Sequence, residues 1–238
     1  MNNILKVIKY QLRDFRIGLI IFYGIISAIV VMVTISFKNL SNNPNVSVTF
    51  SGFGMATVIF IFIVGLSCFR DSFKFMQANN VSRKSFFIGN GITLISVAAL
   101  MAIVEAILDN TLRHLFPYKG LFQQLYRSNS SVADFLWSFG LYAFFISLGW
   151  FITMVYYRSN KLMKTVVSLI PVFIIILLVV INNLTGGALG QGLVSLSASA
   201  LGFNNGFNAY IAVLSFWVAT AVLLGVGFLL IRRMPVKE

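Results

Sequence analysis

Three charged residues stand at helical spacing near the end of a long apolar run. Glu105, Asp109 and Arg113 follow one another in steps of four, which places them on one face of a helix. A carboxylate at the edge of an apolar run is costly unless it meets protein or water. Two readings fit. The three residues line a polar path at the outer end of a membrane span, or they are a helix-end ion pair reaching for water. Ala98, Ala102 and Ala106 make a row of small residues on the same run, which lets a neighbouring helix approach closely. A proton-driven carrier would need acids near mid-bilayer on several spans, and the sequence offers none.

A second stretch, Arg70 to Ser85, reads RDSFKFMQANNVSRKS. It is basic, with Arg70, Lys74, Arg83 and Lys84 against Asp71. Phe69, Phe73 and Met76 fall on one helical face. Asn79 and Asn80 then interrupt the pattern, because their side chains compete for backbone hydrogen bonds. Ser82 is placed to cap a new helix. Val81 and Phe86 occupy the two positions of a hydrophobic staple. The spacing predicts helix, sharp turn, capped helix. The plainer alternative is a basic loop that only fixes topology.

No other pattern carries chemistry. There is no G-x-x-x-x-G-K-[ST], H-E-x-x-H or G-x-S-x-G, so the chain is not expected to be an enzyme or to bind a nucleotide cofactor. A single cysteine, Cys68, and a single histidine, His114, do not make a metal-ligand cluster. Nor is a cleavable signal peptide expected, since the leading apolar run is too long and no small-residue cleavage site follows it.

The elements that must position these residues are membrane spans. Hydrophobic residues are 58% of the chain and charged residues 10%, against about 25% charge in soluble domains. The apolar residues are clustered into runs long enough to cross a bilayer. The expected fold is an all-α integral membrane protein, one transmembrane domain over residues 1–238 with six transmembrane helices. The spans are placed at about 17–37, 53–69, 86–108, 134–157, 165–181 and 209–231. Residues 2–16 form an amphipathic interfacial helix before the first span. Ile4, Ile8, Leu12, Phe15 and Leu19 make its apolar face, and Lys6, Lys9, Arg13 and Arg16 its basic one. Polar loops are expected at 38–52 and 109–133. The second loop contains Leu115-Phe116 and Leu121-Phe122 and is expected on the membrane surface. Pro171 predicts a kink in the fifth span. No charge occurs between Lys164 and Arg232, and the Gly-, Ser- and Asn-rich middle of that interval predicts a re-entrant or surface helix around 189–201.

Fourteen of the eighteen Lys and Arg fall on the side that holds both termini, the Arg70 stretch and the turn at Arg158. The positive-inside rule makes that side cytoplasmic. The net charge of +12 is thus a topology signal, and no nucleic-acid partner is expected.

In this order of parts the chain resembles the type-2 permeases of ATP-binding-cassette exporters. These have six spans, an amphipathic helix before the first, a coupling helix between spans two and three, and a re-entrant or surface segment before the last. Residues 2–16, 78–87 and 183–207 would be those parts. The local match is Ala78-Asn79-Asn80-Val81-Ser82-Arg83-Lys84-Ser85-Phe86-Phe87. It is similar to the N-G-x-S-R-[KR]-x-[FY]-[FLW] segment of many Gram-positive members, with Asn80 where Gly is common. Asn tolerates the left-handed backbone that Gly supplies there.

The resemblance implies a bacterial cell-membrane subunit that binds no cofactor itself. ATP and Mg would sit on a separate ATPase, expected in two copies, and a second permease chain, identical or not, would complete the path through the lipid membrane. Asn79, Asn80, Val81, Ser82, Arg83, Lys84, Phe86 and Phe87 would couple to the ATPase. Among small members the chain looks like peptide exporters, including the phenol-soluble-modulin type. An amphipathic peptide is the favoured substrate and a lipid or drug the second. The rival reading is a non-transport membrane protein, such as a bacteriocin immunity factor or an assembly scaffold, with the same hydropathy.

Overall fold

The computed structural model describes residues 3–40, 52–115, 118–126, 128, 130–204, 206–232 and 234. Residues 41–51 of the loop expected at 38–52, Pro117 and the tail beyond 234 lie outside the described residues, and residues 38–40 continue α1. In chain order the elements are α1 (Asn3–Leu40), α2 (Phe53–Ser67), α3 (Arg70–Ala78), α4 (Arg83–Leu115), α5 (Leu121–Tyr126), α6 (Ser131–Arg158), α7 (Lys161–Leu184), α8 (Ala188–Ala200) and α9 (Ala209–Arg232). The chain is an all-α membrane protein. By length and composition α1, the α2–α3 pair, α4, α6 and α9 are each able to cross a membrane, and the bent α7 makes a sixth.

α6 is the centre of the bundle and packs on α2, α4 and α9. Tyr142, Ile146, Trp150 and Met154 recur every four residues along it and are fully buried. Between α2 and α6 there is no room for side chains at the crossing. A Cβ on Gly65 would collide with the Ile146 carbonyl, and one on Gly149 would lie 2.9 Å from the Leu66 amide nitrogen. Glycine at both positions lets the two backbones touch, the close approach that stabilises helix pairs in lipid. Gly149→Ala is therefore expected to cost about 1–3 kcal/mol through overpacking. Gly18→Ala, with open space around it, should leave the thermal unfolding midpoint in detergent unchanged or slightly raised. Equal midpoints for the two variants would contradict this packing.

α1 is one helix of 38 residues, about 57 Å long at about 1.5 Å per residue. That exceeds the roughly 30 Å hydrocarbon layer. No break separates the amphipathic stretch from the span that follows it. Its buried face also differs from the expected one. Phe15 is buried as expected, but Val7 and Gln11 point inward beside it while Leu12 is 43% exposed. Val7 packs on the α-carbon of Gly89 in α4, and Gln11 Nε2 donates to the Cys68 carbonyl over 3.4 Å. A polar residue inside an apolar stripe shifted the apparent face by one position.

The helix expected to run through residue 69 is interrupted at Cys68 and Phe69. The carbonyls released there find partners: Thr153 Oγ1 of α6 donates to Leu66 O over 2.7 Å, and Gln11 serves Cys68. Below the break Phe69, Phe73 and Met76 are buried, as their spacing predicts. Phe69 and Phe73 stack at 5.1 Å, and both meet Phe86 and Tyr157 edge to face.

α4 continues to Leu115, so residues 109–115, expected as loop, are helical. No glycine or proline interrupts that segment before Pro117. α5 buries Phe122 and Tyr126 in the main core, where they pack around Trp137 of α6.

α7 begins at Lys161, so Lys161 and Lys164 belong to its opening turn and not to a loop. It bends by 42° at Pro171, since proline removes an internal hydrogen bond and crowds the preceding turn. The Gly- and Asn-rich segment after it forms tight caps. Gly186 and Gly187 take positive φ, and Gly187 N donates to Asn182 O over 2.8 Å. At the far end of α8, Gly202 is left-handed and Phe203 N donates to Ala198 O over 2.8 Å, the pattern of a Schellman cap. The expected helix around 189–201 is thus present at Ala188–Ala200, and Tyr126 Oη and Ser215 Oγ tie its end to α5 and α9 through Leu201 O and Ala200 O, both at 2.7–2.8 Å.

Candidate functional site

The turn between α3 and α4 is closed from both sides. α3 ends in a Schellman motif: Asn80 N donates to Gln77 O over 3.1 Å and Val81 N to Met76 O over 3.0 Å. Asn80 sits at the left-handed position with φ 54°, where glycine is usual and asparagine tolerated. Asn79 Nδ2 returns to Phe75 O over 2.8 Å, and Gln77 Nε2 donates to Val81 O over 2.9 Å. α4 then starts at an N-cap, with Ser85 N donating to Ser82 Oγ over 3.1 Å. Val81 and Phe86, the staple pair, are both buried in the main core. An element fixed by two caps and a staple moves as a unit.

The eight residues of the turn divide into two groups. Asn79, Asn80, Ser82 and Lys84 are exposed. Val81 and Phe86 are buried, and Phe87 packs on Trp150 at 4.9 Å and on Phe228 at 5.4 Å. Arg83 is half-buried, and its Nη1 donates to the Arg232 carbonyl over 3.2 Å. The cation thus closes the carboxyl end of α9, where carbonyls lack helical partners and favour positive charge. Sequence spacing did not reveal this bond, which joins residues 149 positions apart.

α1 lies against the same region. Tyr10 stacks on Phe75 of α3 at 4.8 Å, and Lys6, Lys9, Arg13 and Arg16 are exposed around it.

At the opposite end of the bundle the structure brings Glu105, Asp109 and Arg113 together with residues from other elements. Glu105 Oε2 accepts from Thr57 Oγ1 of α2 over 2.7 Å, and the Tyr142 hydroxyl of α6 lies beside it. Arg113 reaches Asp134 of α6 over 3.3 Å and Asp109 over 3.9 Å. Ser138 Oγ donates to Asp134 over 3.4 Å, and the Tyr118 hydroxyl lies beside Asp109. Burial, and then the nearby carboxylates of Asp109 and Glu105, push the Tyr118 phenol well up. Glycines make the room: a Cβ on Gly54 would meet Glu105 Oε1 at 3.1 Å, and one on Gly120 would collide with Asp109.

Thr57, Tyr118, Asp134 and Tyr142 were not singled out from the sequence. Asp134 carried a signal, an acid opening a span on the side where Arg113 lies. Thr57 and Tyr142 carried none, because a hydroxyl in an apolar run gives no indication of its partner. Among the described residues no group of three or more His, Cys, Asp and Glu is arranged to hold a metal ion. The arrangement can clamp helices and neutralise charge.

No family model matches the chain, and no curated protein or solved structure is similar to it.

Proposed function

We propose that the chain is the membrane-spanning subunit of an ATP-driven exporter, with ATP hydrolysed by a separate ATP-binding-cassette subunit. The single observation that carries this reading is the turn at 76–86. It is capped on both sides, stapled into the core and exposed at its tip. A loop that served only topology would have no need of such rigidity, whereas a lever must not yield when pushed. Movement of the tip passes along α4 and, through Arg83, to the end of α9. Amphipathic peptides are the favoured cargo and lipids or drugs the second, because the spans offer apolar and aromatic walls. Two such chains would enclose the path and two ATPase subunits would dock below. Co-purification of the chain with an ATPase after mild detergent extraction tests the reading. A chain that is recovered folded and alone, and that protects cells against a toxin without any ATPase, would favour an immunity factor instead.

The orientation belongs to the same proposal. With both termini cytoplasmic, a cysteine at Ser128 is expected to react with an impermeant maleimide added to intact cells, and one at Lys161 is expected not to. The native Cys68 is buried and should give little background. Labelling at 161 alone would reverse the topology and place the turn outside, where no ATPase could meet it.

A further inference from the structure

A pocket of about 290 Å³ opens where α6 ends and α7 begins, at the same end of the bundle as the turn. Val155, Met163 and Leu230, from α6, α7 and α9, form its apolar wall, and Arg158, Ser159 and Asn160 its polar side. α7 is not bedded into the bundle here: Leu162 is 84% exposed and Met163 53%. Among the described residues of the helices that line the pocket, the charge beyond Asp134 has one sign. No acidic residue occurs between Asp134 and Glu238, so α6 beyond its opening turn, α7 and α9 carry only cations, and α8 carries no charge. Lys164, one turn into α7, lies over the Tyr156 ring at 5.1 Å and adds to the positive field.

We propose that this pocket holds an anionic phospholipid, its phosphate on Arg158 and Asn160 and one acyl chain along Val155, Met163 and Leu230. Phosphate is the chemistry that a guanidinium and an amide together recognise. The lipid is favoured over a free anion because half of the lining is apolar and the helices that build it are spans; a soluble anion would leave that wall wet. Basic pockets between transmembrane helices on the cytoplasmic side take such headgroups. A bound lipid would fill the wedge between α7 and α9 and brace α7, whose apolar side chains the bundle leaves exposed.

Delipidated protein in neutral detergent would be titrated with dioleoylphosphatidylglycerol, with dioleoylphosphatidylcholine and with inorganic phosphate, reading lipid retention by native mass spectrometry and the thermal midpoint. Phosphatidylglycerol should be retained preferentially and raise the midpoint, and the other two should not. Arg158→Gln should weaken that retention about fivefold, the loss of one cation near the headgroup layer. Arg158→Lys should keep most of it, and Lys9→Gln, an equal loss of charge on α1, should leave it unchanged. If Arg158→Gln is not recovered folded, Met163→Glu replaces an exposed side chain and should abolish the preference by placing a carboxylate in the wall. Equal retention of the two lipids overturns the proposal, as does equal weakening by Arg158→Gln and Lys9→Gln. A midpoint raised as far by inorganic phosphate would identify a free-anion pocket and overturn the lipid.

Discussion

Lys84→Glu is expected to abolish capture of the ATPase and substrate-stimulated ATP hydrolysis while the permease still inserts and folds. Lys84 is the exposed cation of the turn, and its neighbours at the tip, Asn79, Asn80 and Ser82, are uncharged. If the proposed ATPase offers Lys84 an acidic groove, reversing its sign places like charges together, which costs several kcal/mol at an interface. Two docking sites per complex would both be lost. The expected behaviour of Arg83→Glu is different. Its guanidinium serves the Arg232 carbonyl, so reversal there also loosens the end of α9 and lowers the midpoint, mixing a folding defect with a docking defect. Lys164→Glu removes the same charge from the same side and should leave capture intact. Backbone geometry supplies an independent arm. Asn80→Gly keeps the left-handed position and should be silent, whereas Asn80→Val forces a β-branched residue to φ 54° and should weaken coupling through strain of about 1–2 kcal/mol. If Lys84→Glu is inserted, copurifies with its ATPase in the wild-type ratio and exports at the wild-type rate, the turn is a topology loop and its coupling role fails.

How much of this was legible depends on the range of the interaction. The turn was readable because its parts are local. An asparagine at the left-handed position, a serine three residues before the amide it caps and a staple five residues long all act within one or two helical turns. The kink at Pro171 was legible for the same reason. Face assignments were less secure. Ile4, Ile8 and Leu12 and the alternative Ile4, Val7 and Gln11 both satisfy helical steps of three or four, and hydrophobicity favoured the one with Leu12. Packing chose Gln11, because a carbonyl released at the α2–α3 break needed a donor. Contacts between distant residues were not legible at all. Thr57 and Glu105 are 48 positions apart, and nothing in either neighbourhood indicates the other. The end of α4 was misplaced because charge at 109 and 113 was taken for solvent. In the folded chain those charges are neutralised by partners, and the helix continues.

Arg113→Met is expected to destabilise the folded protein by about 3–5 kcal/mol, the cost of breaking a buried ion pair by removing one partner. The guanidinium is three-quarters buried, with side-chain exposure of 25%, and lies between carboxylates from two helices, Asp109 at 3.9 Å and Asp134 at 3.3 Å. Without it those acids face each other in a poorly hydrated site near Glu105, and neither has another cation on its own helix within a turn. Truncating Arg113 at constant apolar volume should therefore do more harm than truncating an exposed arginine such as Arg13. The partner substitution should reverse the effect. Asp134→Asn in the Arg113→Met background removes one of the stranded charges and keeps an acceptor for Ser138, so the double variant should be more stable than Arg113→Met alone. The coupling between the two sites is expected within about 0.5–3 kcal/mol. Thermal midpoints in detergent measure it. Additive losses would mean that Arg113 acts on solvent and not on Asp134. The same pair of variants separates the two readings of this cluster. A structural clasp requires only neutrality, so export should recover together with the folded fraction in the double variant. A polar path requires the charges themselves, and then export would stay low in protein that is fully folded.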